Sequence, residues 1–203
     1  GGQIYGEARL SMKKRIALLV LFAALAAFSM MLSTAKGSVD IPFGEILAIL
    51  GGAHDTANAQ ILWNIRLPRT IVAALVGINL SLSGAILQAI LRNPLADPHI
   101  IGISSGAGLA GIFIMLMLPG AAWLITPAAF GGAMVAALLI YILAWRDGIR
   151  PTRIILAGVA VSAFLGAGIS AMMILYSDRV HSALMWMVGG LSARSWPHVE
   201  MLL

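Results

Sequence analysis

Ser104-Ser105 leads into Gly106-Ala-Gly-Leu-Ala-Gly111, the densest cluster of residue types that could do chemistry in this chain. A serine with a distant histidine could form the nucleophile and base of an intramembrane hydrolase. Gly106–Gly111 also spells G-x-G-x-x-G, but a dinucleotide fingerprint needs a preceding strand and a βαβ unit. Neither fits inside a run of 48 residues, 98–145, without a single Asp, Glu, Lys or Arg. Close helix packing, with serine hydroxyls bonded to the helix backbone, accounts for the same letters. The histidines at 54, 99, 181 and 198 show no ligand spacing, and the chain has no cysteine. No metal site, cofactor or thiol chemistry is therefore expected. Asn79-Leu-Ser81 spells a glycosylation sequon but lies within an apolar run.

Small residues at helical spacing say more. Gly158, Ser162, Gly166 and Ser170 recur every four residues and paint one side of a helix. Such a face admits a neighbouring helix or lines an aqueous path. The path is the sharper expectation here, with Ile169 on the lipid side. Gly77, Ser81 and Gly84 form a shorter version of the same pattern.

The elements that carry these residues are membrane helices. Of 203 residues, 60% are apolar and 10% are charged, against about 25% charged in soluble domains. Mean hydropathy is +0.96. An ordinary soluble enzyme, a disordered chain and a nucleic-acid module are excluded. The net charge of +5 lies between apolar runs, so a lipid bilayer is the simpler partner. A helix needs ~20 residues to cross ~30 Å of hydrocarbon. Charge-free runs at 16–35, 70–91, 98–145 and 154–177, the third broken at Leu118-Pro119-Gly120, predict five spans. These lie near 14–34, 68–91, 101–118, 122–145 and 153–176, with a short outer helix near 181–190. The whole chain, 1–203, reads as a single transmembrane domain. Met12 is a candidate start, which would make 1–11 an upstream extension. A cleaved signal peptide ending at Ser33-Thr34-Ala35 is the rival for the first span, but its apolar run is long for that role.

Lys and Arg set the orientation. With the N-terminus inside, eight cations lie on inner segments and five on outer ones. The inner group includes Lys13, Lys14, Arg15 and Arg153; the outer group is Lys36, Arg66, Arg69, Arg179 and Arg194. All five tryptophans fall near span ends or outer segments, as an interfacial belt requires. Asp40 is placed to cap a short helix, 46–50, that ends at Gly51-Gly52. Asn93-Pro94 and Asp97-Pro98 punctuate the inner loop after the second span. No span carries an ion pair or an acidic relay, which argues against proton coupling.

One constellation goes beyond a generic membrane pattern. Trp63-Asn-Ile-Arg66-Leu-Pro-Arg69 precedes the second span. Gly84-Ala-Ile-Leu-Gln88 and Asn93-Pro-Leu-Ala-Asp97-Pro-His-Ile-Ile-Gly102 follow, and then Ser104-Ser-Gly-Ala-Gly108. Later come Arg153-Ile-Ile-Leu-Ala-Gly158 and Met185-Trp-Met-Val-Gly189-Gly190. From about 40 to 195 the chain resembles the FecCD-type permeases of ABC importers for ferric siderophores, haem and vitamin B12. The resemblance implies an all-α polytopic transmembrane bundle of the type II importer kind. It implies a multi-pass protein of a bacterial or archaeal cytoplasmic membrane that pairs with a second permease subunit. Cytoplasmic ATPase subunits would drive it, and an extracytoplasmic substrate-binding protein would deliver the metal chelate. The match reaches only the first half of the family, spans one to five and the start of six, without the loop that docks the ATPase. By resemblance, Arg66 and Arg69 would pair with carboxylates of the binding protein and act in docking, not folding. Pro151 and Thr152 match the cytoplasmic gate. Gly158, Ser162, Gly166 and Ser170 would line the translocation path. Asn93, Pro94, Asp97 and Pro98 would hold the loop between spans two and three. An intramembrane serine hydrolase and a secondary transporter built from inverted repeats remain as alternatives.

Overall fold

The computed structural model describes residues 11–52, 56–94, 96–97, 101–145, 148 and 150–203. Every regular element among them is helical. Pro98, His54 and His99 lie outside the described residues.

Two compact units divide the chain, residues 1–76 with 191–203, and residues 77–190. In the first, α1 (Met12–Ala35) is capped by Ser11, whose hydroxyl accepts the Lys14 N–H at 3.4 Å. None of its residues is buried. An apolar helix with no buried face is built for a lipid or protein surrounding, not for water. A turn later, α2 (Phe43–Leu50) starts at Pro42 without a side-chain cap. Asp40 therefore does not cap it: its carboxylate accepts from Lys36 Nζ at 2.9 Å. Ile46 and Ile49 of α2 close over Ile41, Ala59 and Leu62 to form this unit's apolar centre.

α3 (Ala57–Ile61), begun by the Thr56 cap, passes through a π-helical turn at Leu62–Arg66 into α4 (Leu67–Leu91). The cause is Pro68. Within a regular helix its ring would strike the Asn64 carbonyl, and it has no N–H to offer. The wider turn, in which the Leu67 N–H reaches back to Leu62 O, relieves both. The helix thus begins well before residue 68, where the sequence alone places the start of the second span. α9 (Trp196–Leu202) completes the unit. Ser195 and His198 cap it reciprocally, and Trp196 Nε1 donates to the Trp63 carbonyl at 2.9 Å.

In the second unit, α5 (Ile103–Met117) packs chiefly on α6 (Ile125–Ala144) and then on α7 (Pro151–Leu175). A Cβ on Gly106 would stand 2.5 Å from the Ala136 Cβ and overlap the Gly132 carbonyl, so the two backbones touch as only glycine permits. The G-x-G-x-x-G string is a packing surface on α5. Gly111 seats the Trp186 ring of α8 (Val180–Val188), where an added Cβ would meet the ring at 2.6 Å. Trp186 is thereby a packing residue, whereas Trp123 and Trp145 are exposed at helix ends.

Four helical stretches, Met12–Ala35, Ala57–Leu91, Pro119–Ala144 and Pro151–Leu175, are long and apolar enough to cross a membrane. The expected span at 101–118 is shorter than the others. α5 has 15 residues, a rise of roughly 22 Å. It is bounded by Gly102, at φ +83, and by Leu118-Pro119, where the chain turns into a 3-10 helix.

Candidate docking interface and small-residue face

The two arginines of R-L-P-R have different environments. Arg66 is 7% exposed. Its Nη1 donates to Thr34 O at 2.8 Å and Ala35 O at 2.9 Å, and its Nη2 donates to Val39 O. The last carbonyls of a helix have no intrahelical donor and carry the negative end of its dipole. Arg66 answers both needs at the C-terminus of α1. Nearby, Ser33 and Thr70 share a hydroxyl hydrogen bond at 2.9 Å. Arg66 is therefore buried on backbone carbonyls and not at the surface. Arg69 lies one helical turn on and is exposed. No hydrogen bond or ion pair holds it among the described residues.

Both arginines line a cavity of about 670 Å³ with Lys36, Ser29, Ser33 and Ser38, and with Leu32, Ile61 and Ile65 on its apolar side. Lys36 also holds Asp40 below the usual carboxylate range, first by its hydrogen bond and then by its charge.

Arg179 repeats the device in the second unit. Its Nη1 donates at 3.0 Å to Leu116 O, in the last turn of α5. Sequence reasoning missed both helix-end roles. The available signal was an arginine placed where an odd-numbered span ends, since a cation there meets the negative helix terminus.

The small-residue face of α7 divides in two. A Cβ on Gly158 would lie 2.7 Å from Ile101 O. Ser162 Oγ fills the space beside Gly102 so fully that a Cβ there would overlap it. Gly158 and Ser162 are thus packed against the start of α5. A Cβ on Gly166 would meet nothing within 4 Å, and Ser170 is exposed, its hydroxyl bonded to Gly166 O at 3.1 Å. Ile169, expected to face lipid, is buried at 8% exposure with Ile112, Leu116 and Ala183. The helix face that carries it is the one turned toward α5 and α8.

At the other end of α7, Pro151 and Thr152 are exposed in its first turn. In the loop after α4, Arg92 takes a left-handed conformation at φ +47. The Asn93 carbonyl then accepts the Ala96 N–H at 3.1 Å, and Gln88 Nε2 reaches Ala96 O at 3.5 Å. Asn93 and Ala96 are thus joined in a turn at the end of α4.

Among the described residues no nucleophile–base pair accompanies the serines. The Ser105 N–H donates to Gly102 O in the first turn of α5. The apolar cavity of about 510 Å³ in the same unit, lined by Gly106, Leu109, Phe113, Leu165 and Met172 among others, includes neither Ser104 nor Ser105. His198 is engaged in the α9 cap. Among the described residues no group of three or more His, Asp or Glu could hold a metal.

Comparison with known proteins places this architecture. The profile of the FecCD transport family matches residues 24–203. The chain is 37% identical over 189 residues to the Fe(3+)-citrate import system permease protein YfmE of Bacillus subtilis, covering 92% of this chain and 56% of that one. It is 40% identical over 191 residues to the achromobactin transport system permease protein CbrC of Dickeya dadantii, covering 93% and 52%. With the cobalamin import system permease protein BtuC of Halobacterium salinarum the identity is 41% over 151 residues, covering 73% and 40%. The chain thus spans about half the length of these relatives. Its fold matches a structure described as an inward-facing conformation of a metal-chelate type ABC transporter, with a TM-score of 0.77 at 24% identity over 91% of this chain and 56% of that one. An all-α stack of apolar helices, close glycine contacts between α5 and α6 and a profile match over 24–203 lead to one conclusion: the chain is a multi-pass membrane protein that belongs to the FecCD transport family.

Proposed function

We propose that this chain forms part of the permease subunit of an ATP-driven importer that carries a metal chelate into the cytoplasm. Ferric siderophore, haem and cobalamin are the substrate classes. The observation that carries the reading is the family match over 24–203, joined to relatives named for ferric citrate, achromobactin and cobalamin import. Its partners are a second permease subunit, cytoplasmic ATPase subunits and an extracytoplasmic binding protein. Transport is alternating access, with ATP turnover in the partner subunits biasing two states of the helices.

The N-terminus lies in the cytoplasm, so the end of α1 and the start of α4 face outward. There Arg69, exposed and without a partner among the described residues, supplies the charge for a carboxylate of the binding protein. Arg66 beneath it fixes the loop after α1. The open part of α7, Gly166 and Ser170, contributes to the path. Pro151 and Thr152 stand at its cytoplasmic gate, and Asn93, Pro94 and Asp97 hold the chain after α4. Metal binding and covalent chemistry on the substrate are not assigned to this chain.

The test is uptake of radiolabelled ferric citrate, ferric siderophores, haem and cobalamin into proteoliposomes. These contain the full-length permease with its ATPase, and the binding protein is supplied outside. Uptake of one chelate that requires ATP and the binding protein supports the reading. Uptake driven by an ion gradient without ATP replaces it with a secondary transporter.

A further inference from the structure

The cavity at the end of α1 has a chemistry that carbonyl capping and protein docking do not use up. Lys36, Arg66 and Arg69 line it, and among the described residues no acid does. Asp40 offsets one of the three charges through Lys36. Ser33, whose hydroxyl is shared with Thr70, and Ser38 also line it, as do the apolar residues Leu32, Ile61 and Ile65. Leu32 and Ile65 are exposed. At about 670 Å³ it falls in the ~300–1,000 Å³ range of small-molecule sites.

Its height in the membrane is fixed by α1. Ser29 to Lys36 covers about two turns, roughly 10 Å, at the end of a helix of 24 residues that rises ~36 Å in all. That is the depth where phosphate headgroups meet the first acyl carbons. A phosphodiester suits two exposed cations and a hydroxyl, and the aliphatic residues suit the chain that hangs from it.

We propose that this cavity binds the headgroup of an anionic phospholipid, with the phosphodiester between Lys36 and Arg69 and an acyl chain along Leu32, Ile61 and Ile65. The site lies in the leaflet opposite the Lys13-Lys14-Arg15 cluster. The inference needs only that the chain spans a membrane, and its test is run without a binding protein, so it stands or falls apart from the docking role of Arg69.

The experiment is a native mass spectrometry titration of the purified protein in detergent with phosphatidylglycerol and, separately, phosphatidylcholine. Selective retention of phosphatidylglycerol is expected. Lys36→Gln with Arg69→Gln should weaken the tightest phosphatidylglycerol site about thirtyfold, which corresponds to roughly 1 kcal/mol for each of two cations. Lys13→Gln with Lys14→Gln should leave that site in place. Should the first pair fail to fold, Lys36→Gln alone, at a side chain 71% exposed, should still weaken it about fivefold. Inorganic phosphate at millimolar concentration should not displace the lipid. Equal retention of the two lipids overturns the proposal, as does a tightest site unmoved by the Lys36 and Arg69 changes. Full displacement by inorganic phosphate assigns the cavity to a free anion and overturns the lipid.

Discussion

Replacing Arg66 by Gln tests whether this arginine is a folding residue. It removes the guanidinium that donates to Thr34 O, Ala35 O and Val39 O. A hydrogen bond to a charged group contributes ~1.5–3 kcal/mol, and a buried acceptor left unmet costs ~1–3 kcal/mol. Three full contributions would overstate the loss. Ala35 O keeps the Ile41 N–H at 3.1 Å, Thr34 and Ala35 are half-buried, and water can reach them once the side chain shortens. The expected net cost is about 2–3 kcal/mol. At ~2–4 °C per kcal/mol for a chain of this size, Tm should fall by roughly 5–10 °C. Arg66→Lys should recover part of it, since an ammonium keeps the charge at the helix end but not the planar fork. Arg69→Gln, at an exposed side chain, should change stability by less than ~0.5 kcal/mol. Thermal unfolding followed by tryptophan fluorescence in detergent reads all three, and Trp63 lies within a turn of the site. Equal Tm values for the Arg66→Gln and Arg69→Gln proteins would refute the helix-capping argument.

Arg69→Glu should lower affinity for the substrate-binding protein, most at low salt where the new repulsion is least screened; unchanged affinity across a salt series would leave Arg69 as a membrane anchor. Gly132→Leu should destabilise α5 against α6 by at least ~1–3 kcal/mol of overpacking, because a Cβ there already meets the Ala110 Cβ at 2.6 Å. Gly166→Leu should spare stability and abolish uptake in the full-length protein, while Phe164→Leu, at a side chain 74% exposed, spares both; loss of fold at 166 would count against an open path there. Single cysteines at 38, 122 and 180 should react with an impermeant thiol reagent from outside, and those at 96 and 149 should not. The opposite pattern reverses the orientation.

What the sequence determined is the membrane class, the helical nature of the chain and the family. These follow from one-dimensional properties: runs without charge, small residues at helical spacing, and the R-L-P-R and N-P-L-A-D-P strings. The hydrocarbon core imposes its demand on every span independently, so no knowledge of neighbours is needed. The tertiary structure decided the roles of individual residues. Arg66 and Arg69 are identical in type and three positions apart, yet only the approach of the α1 C-terminus buries one guanidinium on carbonyls and leaves the other exposed. In the same way Gly158 and Gly166 read alike in sequence, but the backbone at Ile101 reaches only the first. Asp40 looked like a helix cap until the turn after α1 brought it to Lys36. The outcomes at Arg66 and Gly158 depend on which helix end or face arrives beside a residue, and that is a property of packing between segments distant in the chain; the Asp40 contact depends on the local turn after α1.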